Sequence, residues 1–177
     1  MSIKKTFHFN NKSAEIFPLM NEIVSYIKDY VPALSNIERL IPYQHVLVEL
    51  LTNAVKHAGA DSSLFSIEIT EKEVTIIKTD NGNSFYLNKC GSFPLHVSFE
   101  GQQVEIRKDA LYCLYGIIHS AHSLVFKVVE YPLYFKEEVT SLYEHYGLLI
   151  LIKSSNHVSY RIDPETGLNH FIVTIII

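Results

Sequence analysis

From Val46 to Val55 the chain repeats apolar residues at helical spacing, breaks at Gly59, and then switches to strict alternation. Val46, Leu47, Leu50, Leu51, Ala54 and Val55 form one apolar face, while Glu49, Asn53 and Lys56 stack on the opposite stripe. Leu64 to Thr70 and Val74 to Thr79 alternate apolar and polar residues, and the short connection between them makes an antiparallel hairpin the simplest pairing. In the second strand Val74, Ile76, Lys78 and Asp80 share a face, and Asp80-Asn81-Gly82 closes it with a turn. A helix and a hairpin that each have one apolar face must cover one another. This commits the chain to layered α/β packing.

The flanking segments extend the pattern. Ile3 to Phe9 alternates as an opening strand, and Asn10 to Ser13 supplies turn and capping residues for a helix over about Ala14 to Tyr30, ended by Pro32. The helix bearing Glu49 is predicted to run from about Pro42, with proline in its first turn, to Ala58. Gly59 stops it, and Lys56 and His57 complement the negative end of its dipole. Beyond Asn83 the periodicity predicts a hairpin over 95–107 around Glu100-Gly101, a helix over 108–121, a strand over 124–131 and a helix over 135–146. Residues 148–152, 158–162 and 170–177 read as three closing strands. The chain is expected to form one domain over 1–177, with a long insertion at about 83–146.

Composition narrows the function classes. The 177 residues are 47% hydrophobic, as in globular proteins. A formal charge of −4, with 15 basic residues and no dense Lys/Arg run, gives no footprint for a nucleic-acid backbone. No stretch approaches the roughly 18 apolar residues of a membrane span, and the opening MSIKKTFHFNN lacks the apolar core of a secretory signal, so a cytoplasmic location is expected. Cys90 and Cys113 have no metal-like or redox spacing and read as small buried hydrophobes. His119 and His122 would share a helix face but lack neighbouring ligands, and the many Tyr and Phe residues scatter as core aromatics do.

The stripe Glu49, Asn53, Lys56 offers a carboxylate that can orient a hydroxyl or water, an amide oxygen that can ligate magnesium, and a cation for phosphate. An Asp at a strand end before a Gly turn can accept the exocyclic amine of adenine.

On these residues the chain resembles the GHKL, or Bergerat-fold, ATPases, which include histidine-kinase ATP-binding domains, gyrase and the anti-sigma serine kinases. Glu49-Leu50-Leu51-Thr52-Asn53-Ala54-Val55-Lys56-His57-Ala58-Gly59 is similar to the N box of that family, and Asp80-Asn81-Gly82 to its first glycine box. Thr52-Asn53-Ala54-Val55 with His57-Ala58, preceded by a strand and one helix, resembles the anti-sigma branch most. The resemblance implies a two-layer α/β sandwich: a mixed, mostly antiparallel sheet with helices on one face and ATP·Mg²⁺ between helix and sheet edge. It implies Glu49 as general base, Asn53 as magnesium ligand, Lys56 and His57 as phosphate neighbours, and Asp80 with Gly82 as the adenine pocket. It also implies that residues 148–155 are helical rather than a strand.

The sequence departs from the family pattern at defined places. Ser84 stands where the first glycine box usually has Gly or Ala, and the second glycine box is reduced to Gly147 after Tyr143-Glu144-His145-Tyr146. Asn169 or His170 stands where a threonine often backs the adenine Asp. Three readings stay open. The first is a stand-alone ATP-binding regulator that phosphorylates a serine on a sigma-factor or anti-anti-sigma-like partner, with a homodimer expected from the resemblance. The second is a GHKL-fold interaction module without nucleotide, and the third an unrelated α+β domain.

Overall fold

The computed structural model describes residues 2–57, 59–108, 111–131 and 146–177. The strands are β1 (Ile3–Phe9), β2 (Ser63–Ile69), β3 (Glu73–Asp80), β4 (Tyr86–Leu87), β5 (Gly91–Ser92), β6 (Gln103–Lys108), β7 (Tyr112–Ser120), β8 (Ser123–Glu130), β9 (His157–Ile162) and β10 (Asn169–Ile176). The helices are α1 (Ile16–Tyr30), α2 (Ile37–His57) and α3 (Tyr146–Lys153). Eight strands form one sheet in the order β1-β2-β3-β10-β9-β8-β7-β6, and β4 pairs with β5 apart from it. Every neighbouring pair among the described residues is antiparallel, so the expected mixed character of the sheet gives way to a purely antiparallel one.

The alternation sorts the sheet into two faces. Phe7, Phe9, Phe65, Ile67, Val74, Ile76, Val158, Val173 and Leu124 are buried against Ile23 and Ile27 of α1, Val46, Leu47 and Leu50 of α2, and Leu151 of α3. On the opposite face Leu64 is exposed, and Thr75, Ile77, Ile172 and Thr174 are half-buried. The β2–β3 hairpin is closed at Thr70: its N–H donates to the Glu73 carbonyl at 2.9 Å, and its Oγ1 accepts from the N–H of Lys72 and Glu73.

Several boundaries differ from the sequence reading. Helix α2 begins at Ile37, because the Asn36 side chain accepts the Glu38 N–H at 3.0 Å and starts the helix a turn earlier than Pro42. Pro42 therefore lies inside the helix, where it cannot supply the usual N–H donor.

The predicted helix over 108–121 is instead strand β7. Tyr112, Leu114, Gly116 and Ile118 are buried, and β7 is paired on both sides, by β6 and β8. Its β-branched and aromatic residues favour that pairing. A Cβ at Gly116 would meet the side chains of Ile106, Leu124 and Leu87 at 3.4–3.8 Å. The predicted hairpin over 95–107 is a 3-10 turn at Val97–Phe99 followed by β6, which pairs with β7. His119 thus lies on a strand and His122 in the turn after it, not on one helix face. The predicted helix over 135–146 lies outside the described residues apart from Tyr146, which opens α3. The resemblance implies a helix over 148–155 where the alternation reads a strand; α3 covers residues 148–153 of that range and stops at Lys153. Both cysteines are free thiols. No helix among the described residues is long and apolar enough to cross a membrane.

Candidate functional site

One cavity of about 710 Å³ lies between the C-terminal half of α2, the start of α3 and the ends of β3 and β10. Glu49, Asn53, Lys56 and His57 reach it from α2, because their spacing of three and four residues keeps them on one stripe of the helix; Leu50 beside that stripe also lines the cavity, while Leu51 is buried away from it. Asp80 reaches it from the sheet. Gly82 does not line the cavity; its N–H donates to Asp80 Oδ1 at 2.9 Å and so fixes that carboxylate.

Glu49 is half-buried, and burial pushes its carboxyl above the usual carboxylate range, against the pull of Lys56 and His45. Its carboxylate lies against the first turn of α3. A Cβ built on Gly147 would stand 2.5 Å from Glu49 Oε2 and 3.6 Å from Asn53 Nδ2. Gly147 is therefore what lets α3 approach the carboxylate and amide pair. Lys56 and His57 are exposed at the rim.

The floor is a buried polar network. Lys78 Nζ donates to Asp80 Oδ2 at 2.6 Å, and both side chains are almost fully sealed from solvent. Asn169, opposite Asp80 in the β3–β10 register, donates to Asp80 Oδ1 at 3.2 Å and to the Gly82 carbonyl at 3.0 Å. Tyr160 donates its hydroxyl to Asn169 Oδ1 at 2.5 Å and accepts the Phe85 N–H at 3.1 Å. Burial pushes the Tyr160 phenol up to about 12, so it stays protonated as the donor. Phe85, Phe93 and Phe171 meet that ring in edge-on and tilted contacts, and Phe126 packs behind them against Phe85 and Phe171.

The structure places Asn169, not His170, beside Asp80. His170 lies on the other face of the sheet, where its Nδ1 meets Thr79 Oγ1 at 2.9 Å. Three contributors gained no role from sequence: Lys78, Tyr160 and, across the cavity, Arg107, whose guanidinium lies 5.4 Å from the Tyr146 ring centre. Lys78 alone had a signal, a lysine sharing a strand face with Val74 and Ile76.

Among the described residues no cluster of three His, Cys, Asp or Glu could hold a metal. Glu49 and Asn53, whose side chains both approach the Gly147 position, each carry a hard oxygen of the type that suits magnesium keeping waters and phosphate oxygens for most of its ligands. In comparisons with known proteins, no family model matches the chain and no curated protein matches its sequence.

Proposed function

We propose that the cavity binds a purine nucleoside triphosphate with Mg²⁺, ATP as the resemblance implies, and that the protein is a regulator acting on a protein partner. The observation that carries this reading is the convergence of Glu49, Asn53, Lys56, His57 and Asp80, from two separate elements, on one cavity. Asn53 would hold the metal, which would draw charge from the phosphates. Lys56 and His57 at the rim would meet phosphate oxygens, and Asp80 on the aromatic floor would meet the base. The raised Glu49 carboxyl suits a group that takes a proton from an attacking hydroxyl. Transfer of the terminal phosphoryl group to a serine of a sigma-regulating partner, and assembly as a homodimer, belong to the same reading.

A second reading is favoured by the floor. Asp80 already spends Oδ1 on Gly82 and Asn169 and Oδ2 on Lys78, so its main contacts are made without a ligand. In that reading the fold is an interaction module that no longer takes nucleotide.

A melt of the protein with and without ATP and Mg²⁺ separates the two. A ligand at a hundred times its Kd stabilises the native state by about 2.7 kcal/mol, a rise of about 5–10 °C for a chain of this size. Asn53→Ala and Asp80→Asn should each abolish that rise. An unchanged melting temperature at millimolar ATP would leave the interaction module.

A further inference from the structure

We infer that Lys78 is a base-reading residue: with Asp80 it presents a donor and an acceptor, side by side, to the Watson–Crick edge of a purine. This rests on the nucleotide reading above and adds to it what recognises the base.

Lys78 is only 5% exposed, yet it lines the cavity. Its cross-strand neighbours are Phe65 on β2 and Phe171 on β10, and Nζ lies 5.9 Å from the centre of the Phe171 ring. An ammonium group has three N–H donors. The bond to Asp80 Oδ2 uses one, and among the described residues no other hydrogen bond of Nζ is made. Unspent donors on a buried cation are costly unless something in the cavity accepts them.

Asp80 has the complementary vacancy. Oδ1 takes both Gly82 and Asn169, while Oδ2, among the described residues, takes only Lys78 and keeps a lone pair. The floor therefore offers unspent N–H groups on Nζ beside a carboxylate oxygen, the two heavy atoms 2.6 Å apart. Adenine carries the matching pair on adjacent positions: its exocyclic N6–H donates to Oδ2, and its ring N1 accepts from Nζ. A carboxylate alone reads only the amine. With Lys78 beside it, the site also requires an acceptor at N1, and a charged donor makes that bond one of the stronger kind.

The test compares ATP with 1-deaza-ATP, in which N1 is replaced by C–H, by calorimetric titration of the unaltered protein with Mg²⁺ present. Loss of a hydrogen bond to a charged buried group predicts that the deaza nucleotide binds about ten- to a hundredfold more weakly. Lys78→Met should bind ATP more weakly and no longer distinguish the two. The comparison on the unaltered protein decides even if that variant fails to fold. Equal affinities for the two nucleotides would overturn the role of Lys78 and leave the nucleotide reading standing. No heat of binding with either would remove the nucleotide reading itself and this inference with it.

Discussion

Replacing Lys78 by methionine keeps most of the stem and deletes the charge, so it isolates what the buried pair contributes to folding. Lys78 and Asp80 are 5% and 4% exposed and 2.6 Å apart, which leaves Asp80 little access to water once its partner is gone. Stranding one member of such a pair costs about 3–5 kcal/mol. Asp80 retains the Gly82 N–H and the Asn169 amide, which places the loss at the lower end, about 3 kcal/mol. For a chain of this size that lowers Tm by about 6–12 °C. Asp80→Asn should cost a similar amount by stranding the ammonium. The double variant, with both charges removed, should lose no more than either single one, a coupling of about 3 kcal/mol. Urea denaturation of the four proteins measures all three differences. A double variant whose loss equals the sum of the two singles would refute the reasoning, because the two charges would then be acting independently.

Other consequences are simpler to test. Tyr160→Phe removes the hydroxyl that joins Asn169 to the Phe85 backbone and should cost about 1–3 kcal/mol in urea unfolding. Gly147→Ala should change stability by no more than about 1 kcal/mol, since alanine favours the helix. It should nevertheless shrink the rise in melting temperature that the proposed nucleotide site predicts with ATP, because the new methyl displaces the Glu49 carboxylate. Burial, with Arg161 nearby, lowers the His170 pKa below 6.5, so the unfolded chain binds the proton more readily. Stability should be full above that pH and decline as the pH falls from 6.5 toward the folded value, and His170→Gln should flatten that part of a stability–pH curve.

The parts of the fold that were legible in sequence are those where one face is wet and the other dry. The stripe on α2 and the alternation of β2 and β3 show their period plainly, and with it the grouping of Glu49, Asn53 and Lys56. Strand β7 does not show its period in sequence because Tyr112, Cys113 and Leu114 are all buried in succession, which erases the alternation a strand would otherwise display. Helix α3 was hidden for a related reason: Leu148 to Ile152 is an unbroken apolar run, and periodicity cannot tell a buried helix from a strand there. Asp80 can be singled out by its turn, and the resemblance leaves Asn169 and His170 both open as the residue behind it, but no local pattern chooses between them. Asn169 meets it only because β10 enters the sheet beside β3, a pairing across 89 positions that no local pattern encodes.

That pairing also sets an order of events during synthesis. When β3 leaves the ribosome, its neighbour on one side, β2, is already made, but the strand that flanks it on the other side follows 89 positions later. At about 5–20 residues per second the nascent chain spends roughly 4–18 seconds with the backbone of β3 unpaired along that edge. During that interval the edge can template pairing with another chain, and the wall that holds Asp80 in place does not yet exist. A ligand of the finished cavity would therefore have nothing to grip until β10 had emerged, so slowing or stalling translation between β3 and β10 should raise aggregation in a way that a ligand of the cavity cannot relieve.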